Sequence, residues 1–225
     1  MDIIAHIETD FPTKFGVPRQ SGLIPDLRGR IVFERPFRNP DCVRGLDGFS
    51  HIWLLWQFSG AVRTKWSATV RPPRLGGNER VGVFATRSPF RPNAIGLSSV
   101  RLEWIEMDEA LGPVLYVLGA DLMDGTPVYD IKPYLPFTDS HPDATGGFAD
   151  AARGHGLAVR FPDALLALVP EDAREPLMSV LAHDPRPSYQ DDPSRRYGVP
   201  FAGRDVRFTV ADGVLTVCEV VDYDG

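Results

Sequence analysis

Residues 81–100, VGVFATRSPFRPNAIGLSSV, form the stretch around which the chain is organised. Its apolar beginning predicts a short buried strand. The segment RSPFRPN then interrupts it, because two closely spaced prolines fix φ and lack a backbone N–H. Arg87 and Arg91 are therefore expected on a stiff loop, where a guanidinium held in place recognises a carboxylate or a phosphate.

A second stretch, DGTPVYDIKPYLPF at 124–137, resembles the first in composition: apolar residues are interrupted by charged residues, glycine and proline. Its Asp-Gly-Thr-Pro start is typical of a turn, and a short strand is predicted to follow. On an extended strand Asp130 and Lys132 point to the same face. Two interpretations are open: a surface ion pair, which stabilises by less than about 1 kcal/mol, or part of a pocket shared with 81–100.

The composition limits the class of protein. A chain of 225 residues with 43% hydrophobic residues can form one large core, or a main domain of about 140 residues with an appendage. It has no bilayer-length apolar run and an acidic N-terminus, so we expect a soluble, cytoplasmic protein with no membrane partner. Two distant cysteines and five scattered histidines predict neither a disulfide nor a metal site.

The charge is unevenly distributed. The net charge is −6, but residues 63–101 contain eight basic residues and one acidic residue. A basic band in an acidic protein indicates an anionic partner such as nucleic acid. Base composition of the coding genome can explain the preference for Arg over Lys, but not the clustering.

Many short strands separated by Gly and Pro predict an all-β barrel or sandwich up to about residue 138. The most apolar segment, FSHIWLLWQF at 49–58, is predicted to be a fully buried strand with Trp53 and Trp56 in the core. Open edges in so short a domain favour closure or pairing with another subunit. Strands are predicted at 2–8, 31–33, 81–85, 95–106 and 113–122.

The C-terminal part is predicted to differ. Residues 162–183 show helical spacing of Leu and Val, and Pro170 and Pro176 are expected to split them into two short helices. Asp212-Gly213 predicts a hairpin turn. We therefore expect two domains, residues 1–140 and a small α+β domain at 141–225.

These motifs together resemble the TrmO family, also called TsaA-like or YaeB-like, whose members are tRNA N6-threonylcarbamoyladenosine methyltransferases. The resemblance runs in order over nearly the whole chain. It includes PRQSG at 18–22, FSHIW at 49–53, VRPPRLGGN at 70–78, DPRPSY at 184–189 and the DVRFTV strand at 205–210.

The resemblance implies a mainly β fold with an N-terminal closed β-barrel domain, working as a homodimer and using S-adenosylmethionine without a Rossmann domain. The chain indeed has no GxGxxG motif. The family's methyl-donor site, carried over position by position, falls on Pro18, Arg19, Gln20, Ser59, Gly60, Arg87, Leu97, Leu118, Gly119, Ala120 and Asp121.

Roles for these residues follow from their chemistry. Arg87 suits the donor's carboxylate, and Asp121 suits its ribose hydroxyls or its ammonium; a structural ion pair is the alternative for each. The acceptor nitrogen belongs to a urea-like group and must lose a proton, for which Asp124 or Asp130 is the candidate base. Lys132 would stabilise negative charge on the urea oxygen or bind the threonyl carboxylate.

The partner implied is tRNA carrying threonylcarbamoyladenosine, whose modified base lies in a single-stranded loop. Phe90 is expected either to stack on a base or to pack into the barrel. Contacts with the tRNA phosphates are expected from Arg63, Lys65, Arg71, Arg74, Arg80 and Arg91.

Two other functions compete with this interpretation: a non-catalytic RNA-binding barrel, and a phosphoester hydrolase using Asp124 and Asp130.

Overall fold

A computed structural model describes residues 1–61, 66–72, 79–150, 156–186 and 192–224. Its N-terminal part is a closed antiparallel barrel of six strands in the order β1-β2-β7-β6-β3-β8, and β4 and β5 form a separate two-stranded ribbon. The strands are β1 (Ala5–Thr9), β2 (Arg28–Phe33), β3 (His51–Gln57), β4 (Thr69–Val70), β5 (Val81–Gly82), β6 (Ile95–Asp108), β7 (Gly112–Leu118) and β8 (Thr126–Pro133).

The predicted mainly β class and closed barrel are confirmed. Closure pairs the strand edges that so short a domain would otherwise expose. The strand at 49–58 is not fully buried, however, and that expectation was wrong. Trp56 faces the interior, whereas Trp53 lies half-buried on the outer face and its indole N–H donates to Asp139 at 2.8 Å. A barrel strand alternates between the two faces, so only every second residue is in the core.

The barrel interior is filled by aliphatic side chains from all six strands, including Ile7, Ile52 and Leu115, none of which is exposed. Two aromatic rings, Phe33 and Trp56, join this core, and the Trp56 indole lies against the backbone of Gly96. A Cβ at Gly96 would come within 2.2 Å of the indole. The glycine is therefore required by this contact, because two atoms cannot approach so closely.

The C-terminal part is a small α+β unit, as predicted. Its sheet has the order β10-β11-β12-β9, with β9 parallel to β12. The turn between β11 and β12 is the predicted hairpin, with Asp212 and Gly213 at φ values of 50° and 75°. The elements are β9 (Ala158–Arg160), β10 (Tyr197–Phe201), β11 (Arg204–Ala211), β12 (Val214–Asp222), α2 (Asp163–Leu166) and α3 (Arg174–Ala182). The short helix α1 (Pro136–Asp139) follows β8 and contacts the barrel through the bond from Trp53 to Asp139.

Pro176 does not divide a helix, contrary to the expectation from the sequence. It occupies the first turn of α3, after Arg174 and Glu175. Proline is tolerated there because the N–H groups of the first turn have no partner within the helix. The break falls earlier, where Pro170 precedes a 3₁₀ turn at Glu171–Ala173.

The N-terminal loop between β1 and β2 belongs to the second hydrophobic core. Phe11, Ile24 and Leu27 are almost fully buried and pack with Leu177 and Phe208 of the C-terminal unit. This anchoring fixes both ends of the segment that contains the PRQSG motif. The division into domains 1–140 and 141–225 stays a prediction, since the two sheets share this loop.

No helix in the described ranges combines the length and apolarity needed to span a lipid bilayer.

Candidate functional site

The site is built along a free stretch of strand edge in β6. Residues 95–100 pair with β3 on one side, and β7 joins the other side only from Arg101 onward. The PRQSG loop approaches the open side, where the Ser99 N–H donates to Ser21 Oγ at 3.2 Å. The barrel therefore has a gap in its wall between β6 and β7, bordered by the loop at 18–22.

The turn that follows β7 forms the opposite border of this gap. Gly119 accepts a hydrogen bond from the Gly22 N–H at 2.9 Å and donates its own N–H to Leu27 at 2.8 Å. It has a φ of +77°, and a Cβ there would lie 3.3 Å from the Gly22 backbone. The positive φ strongly favours glycine, and the Gly22 backbone leaves little room for a side chain. The two loops are thereby locked together, with Gln20 and Asp121 on adjacent segments.

Asp121 is the acidic group of the site and lies at the mouth of the barrel. Its carboxylate accepts a hydrogen bond of 2.5 Å from Ser98 Oγ, and Ser98 in turn accepts the indole N–H of Trp56 at 2.9 Å. Burial raises the pKa of Asp121 above its usual range, although bonds from Ser98 and the Ser21 backbone and the charge of Arg87 oppose this. A desolvated carboxylate anchored in this way binds a cationic or hydroxyl group strongly.

Arg87 is the cationic group on the opposite side of the gap. Its Nη1 donates to Gln20 Oε1, and its charge acts on the carboxylate of Asp121. The loop that carries it is held from within, because Arg91 Nη1 donates to the Thr86 carbonyl at 3.0 Å. Ser88 Oγ also accepts the Phe90 N–H at 3.2 Å. The site therefore holds a cation and an anion in one cleft.

The remaining predicted donor residues fall into two groups. Pro18 and Arg19 precede Gln20 in the same loop, and a Cβ at Gly60 would lie 3.6 Å from Met123 Cε, which brings the 3₁₀ turn at Ser59–Ala61 near the segment after Asp121. Ala120 is buried in the barrel core, and Leu118 turns its side chain toward a separate acidic cleft. These two residues can reach the gap only with their backbone.

Leu97 lies on the free edge itself. Its side chain is 52% exposed on the outer face. The N–H groups of antiparallel strands alternate in direction, and the Ser99 N–H points away from β3. The N–H and C=O of Leu97, two residues earlier in the same regular register, therefore point into the gap as well.

The predicted catalytic residues lie at two places. Asp130 and Lys132 form an ion pair of 2.9 Å on the outer face of β8, both substantially exposed. Asp130 is opposite Leu55, whose other neighbour is Leu97. Asp124 lies before the start of β8 and accepts the Thr9 N–H at 2.9 Å. Among the described residues, no three His, Cys, Asp or Glu side chains are grouped to hold a metal ion.

The basic band is only partly described. Arg71 and Arg80 are exposed, and Arg91 is half-buried with one nitrogen committed to its own loop. Arg63, Lys65 and Arg74 lie outside the described residues.

The sequence did not predict Ser98 as a site residue or the contact of Trp56 with it. Nothing in a strand sequence indicates which serine will contact a carboxylate across a barrel.

Comparisons with known proteins cover nearly the whole chain. The family described as tRNA-methyltransferase O N-terminal domain matches residues 6–140, and the TrmO C-terminal domain matches residues 155–223. The tRNA (adenine(37)-N6)-methyltransferase of Escherichia coli K12 is 44% identical over 223 residues, which cover 95% of this chain and 94% of the relative. The enzyme of the same name from Eikenella corrodens is 47% identical over 178 residues, 79% of this chain and 99% of the relative.

A solved structure gives the same result. The crystal structure of TrmO from Pseudomonas aeruginosa superposes with a TM-score of 0.78 at 36% sequence identity, covering 97% of this chain and 96% of that one.

Proposed function

The chain belongs to the TrmO family of tRNA methyltransferases, and we propose that it methylates N6 of threonylcarbamoyladenosine beside the anticodon of tRNA, with S-adenosylmethionine as donor. The observation that carries this proposal is the presence of Arg87 near the buried carboxylate of Asp121, beside the open edge of β6. When bound, S-adenosylmethionine would supply an activated methyl group on a sulfonium.

The charges in the gap fit a zwitterionic donor. We assign the donor's carboxylate to Arg87, whose orientation is fixed by Gln20. Asp121 would accept from the ammonium or from ribose hydroxyls, since its carboxylate lies within the electrostatic reach of Arg87 and has accepting capacity beyond its bond from Ser98. Bonds between charged groups contribute about 1.5–3 kcal/mol each, so these two residues would provide much of the donor's affinity and its orientation.

The free strand edge would hold the donor's base. An adenine ring offers an N–H donor beside a nitrogen acceptor, and the backbone of Leu97 offers the complementary pair. An unpaired strand edge readily takes such a partner. We therefore propose that Leu97, and the backbone of Leu118, Gly119 and Ala120, contact the donor through main-chain atoms. Pro18, Arg19, Ser59 and Gly60 would complete the rim.

Proton removal from the acceptor is assigned to Asp130. As the new N–C bond formed at N6, the bond between the methyl carbon and sulfur would break and leave a neutral thioether. The proton on N6 would pass to the carboxylate of Asp130, and negative charge on the urea oxygen would be stabilised by Lys132. Each carboxylate accepts one backbone N–H, from Ile131 at Asp130 and from Thr9 at Asp124. Asp130 is favoured because it lies opposite Leu55, the strand neighbour of Leu97. Asp124 remains the alternative base.

The tRNA would be bound through its phosphates by the basic band, namely Arg63, Lys65, Arg71, Arg74, Arg80 and Arg91.

We further propose that the protein is a homodimer that acts in the cytoplasm, where its tRNA substrate is found. Large apolar side chains on the surface support the dimer: Phe84, Leu97, Trp104 and Met107 are each about half exposed or more. In this proposal residues 1–140 carry the catalytic machinery and residues 141–225 support the PRQSG loop.

The test is nucleoside analysis of tRNA by mass spectrometry. Purified protein is incubated with S-adenosylmethionine and tRNA that carries or lacks the threonylcarbamoyl group. We expect a mass increase of one methyl group on threonylcarbamoyladenosine only. The competing function, a non-catalytic RNA-binding barrel, predicts tRNA binding with no methylated product and no heat on titration with the donor.

A further inference from the structure

A second cavity lies beside the proposed donor site and has no role in the account so far. It has a volume of about 260 Å³ and lies where the end of β3, the start of β6 and the middle of β8 meet the Arg87–Arg91 loop. Gln57, Trp66, Phe90, Asn93 and Tyr129 contribute to its lining.

A β-bulge directs Tyr129 toward this cavity. On β8, Val128 is opposite Trp56 and Asp130 is opposite Leu55, so Tyr129 is left without a partner on β3. A bulge of this kind changes the direction of one side chain without ending the strand. It also leaves Asp130 immediately next to a cavity residue.

The lining combines aromatic rings with free hydrogen-bonding groups. Trp66, Phe90 and Tyr129 provide three rings, and Trp66 is 53% exposed. Within the described ranges, the Gln57 and Asn93 side-chain amides and the Tyr129 hydroxyl form no hydrogen bond. Aromatic faces with polar groups that can both donate and accept are the means by which proteins hold a flipped or single-stranded base.

The size of the cavity indicates a small occupant. Sites for drug-sized ligands are about 300–1,000 Å³, so 260 Å³ suits one planar ring system rather than the whole methyl donor. The neighbours of the lining connect it to the proposed reaction centre. Ile95 lies in the cavity two residues before Leu97, and Gln57 lies two residues before Ser59.

We infer that this cavity binds the adenine ring of the acceptor nucleoside, stacked against Trp66 and Phe90 and recognised along its edge by Gln57, Asn93 and Tyr129. The inference rests on the proposed function and specifies its acceptor subsite. With the ring in this position, the group on N6 extends toward Asp130 and Lys132. One loop then serves both substrates, with Arg87 facing the donor and Phe90 and Asn93 facing the acceptor.

The experiment uses a synthetic anticodon stem-loop RNA in which 2-aminopurine replaces the acceptor adenine. Stacking on aromatic rings quenches 2-aminopurine, so the wild-type protein is expected to quench it on binding. Trp66→Ala and Tyr129→Ala should reduce the quenching by half or more. Both should weaken RNA binding by about 5–150-fold, the range for loss of one base-stacking contact. Binding of S-adenosylmethionine, measured by calorimetry, should stay within twofold of wild type.

Phe137→Ala is the matched control, because Phe137 is an aromatic side chain that is 86% exposed and lies outside the cavity. It should leave the quenching unchanged. Unchanged quenching and affinity in both Trp66→Ala and Tyr129→Ala would overturn the inference, as would stronger quenching with the probe moved one nucleotide to either side. Quenching that depends on Trp66 without methylation of any tRNA would instead overturn the proposed function and leave the subsite in place.

Discussion

Ser98 Oγ donates a hydrogen bond of 2.5 Å to the carboxylate of Asp121, and this bond joins the interior of the barrel to the cleft at its wall. On the interior side, Ser98 accepts the indole N–H of Trp56, so the core ring and the cleft carboxylate are linked through one hydroxyl. The packed core thus fixes the position of the Asp121 carboxylate, so this binding group is held as rigidly as the barrel itself.

Asp121→Asn is expected to raise stability and reduce donor binding. Burial raises the pKa of Asp121 in the folded protein, so the ionised carboxylate is a cost to the fold at any pH above that raised value. The neutral amide removes this cost. The free energy of unfolding at neutral pH should therefore rise, because folding no longer takes an ionised group out of water.

The sign of the pH dependence provides the check. As pH falls through the raised pKa, wild-type Asp121 takes up a proton in the folded state first, and its disadvantage relative to Asn disappears. Urea denaturation at several pH values should show the two proteins converging in acid. Donor affinity should fall about 10–100-fold in the variant at neutral pH. A variant less stable than wild type at neutral pH would contradict the assigned origin of the shift.

Arg87→Lys tests whether the fork geometry matters. Lysine keeps the positive charge but cannot make the paired N–H contacts that Gln20 orients in the wild type. The dissociation constant for S-adenosylmethionine, measured by calorimetry, is expected to rise about tenfold. Arg28→Lys is the control, because Arg28 lies in the separate acidic cleft, paired with Asp172. Equal effects of both substitutions would mean that only net charge is involved.

Asp130→Asn should separate chemistry from binding. The amide keeps the size of the side chain but cannot accept the proton from N6. Loss of a general base costs about 10²–10⁴-fold in kcat, whereas the donor dissociation constant should stay near the wild-type value. Asp124→Asn can still accept the Thr9 N–H. A loss of kcat in that variant, with normal stability and with Asp130→Asn active, would identify Asp124 as the base instead.

Removal of basic residues should change the salt dependence of tRNA binding. Arg71 and Arg80 are exposed and are proposed to contact phosphates. Arg71→Ala and Arg80→Ala should each reduce the slope of log affinity against log salt by about 1. Arg44→Ala is the comparison, since Arg44 is exposed, outside the band and paired with Asp41. Filter binding at several salt concentrations measures all three. Unchanged slopes for Arg71 and Arg80 would remove them from the interface.

Gly96→Ala tests the packing of the barrel. The added methyl group would lie 2.2 Å from the Trp56 indole, so the ring or the strand must move. Overpacking of this kind costs about 1–3 kcal/mol or more, and a clear fall in melting temperature is expected. Gly82→Ala has nothing within 4 Å of the new atom and should unfold near the wild-type temperature. A small effect at Gly96 would show that Trp56 can adopt another position.

By itself, the sequence determined the class of the fold and the composition of the site. Short apolar segments between glycines and prolines predict strands, because those residues restrict the backbone locally, and the hairpin at Asp212-Gly213 follows for the same reason. The order of the motifs predicted the family. PRQSG, the Arg87 loop and the 124–137 stretch are each continuous segments, so they can be recognised from the sequence without a structure.

Only the tertiary structure decided which of these residues meet. It placed Trp53 outside and Trp56 inside one strand, and it left residues 95–100 of β6 paired on one side only, with β3. It also brought Ser98 to Asp121 and left Tyr129 in a bulge beside a cavity. Such relationships depend on barrel closure and strand register, which are set by contacts between residues far apart in the chain, and local sequence patterns do not encode them.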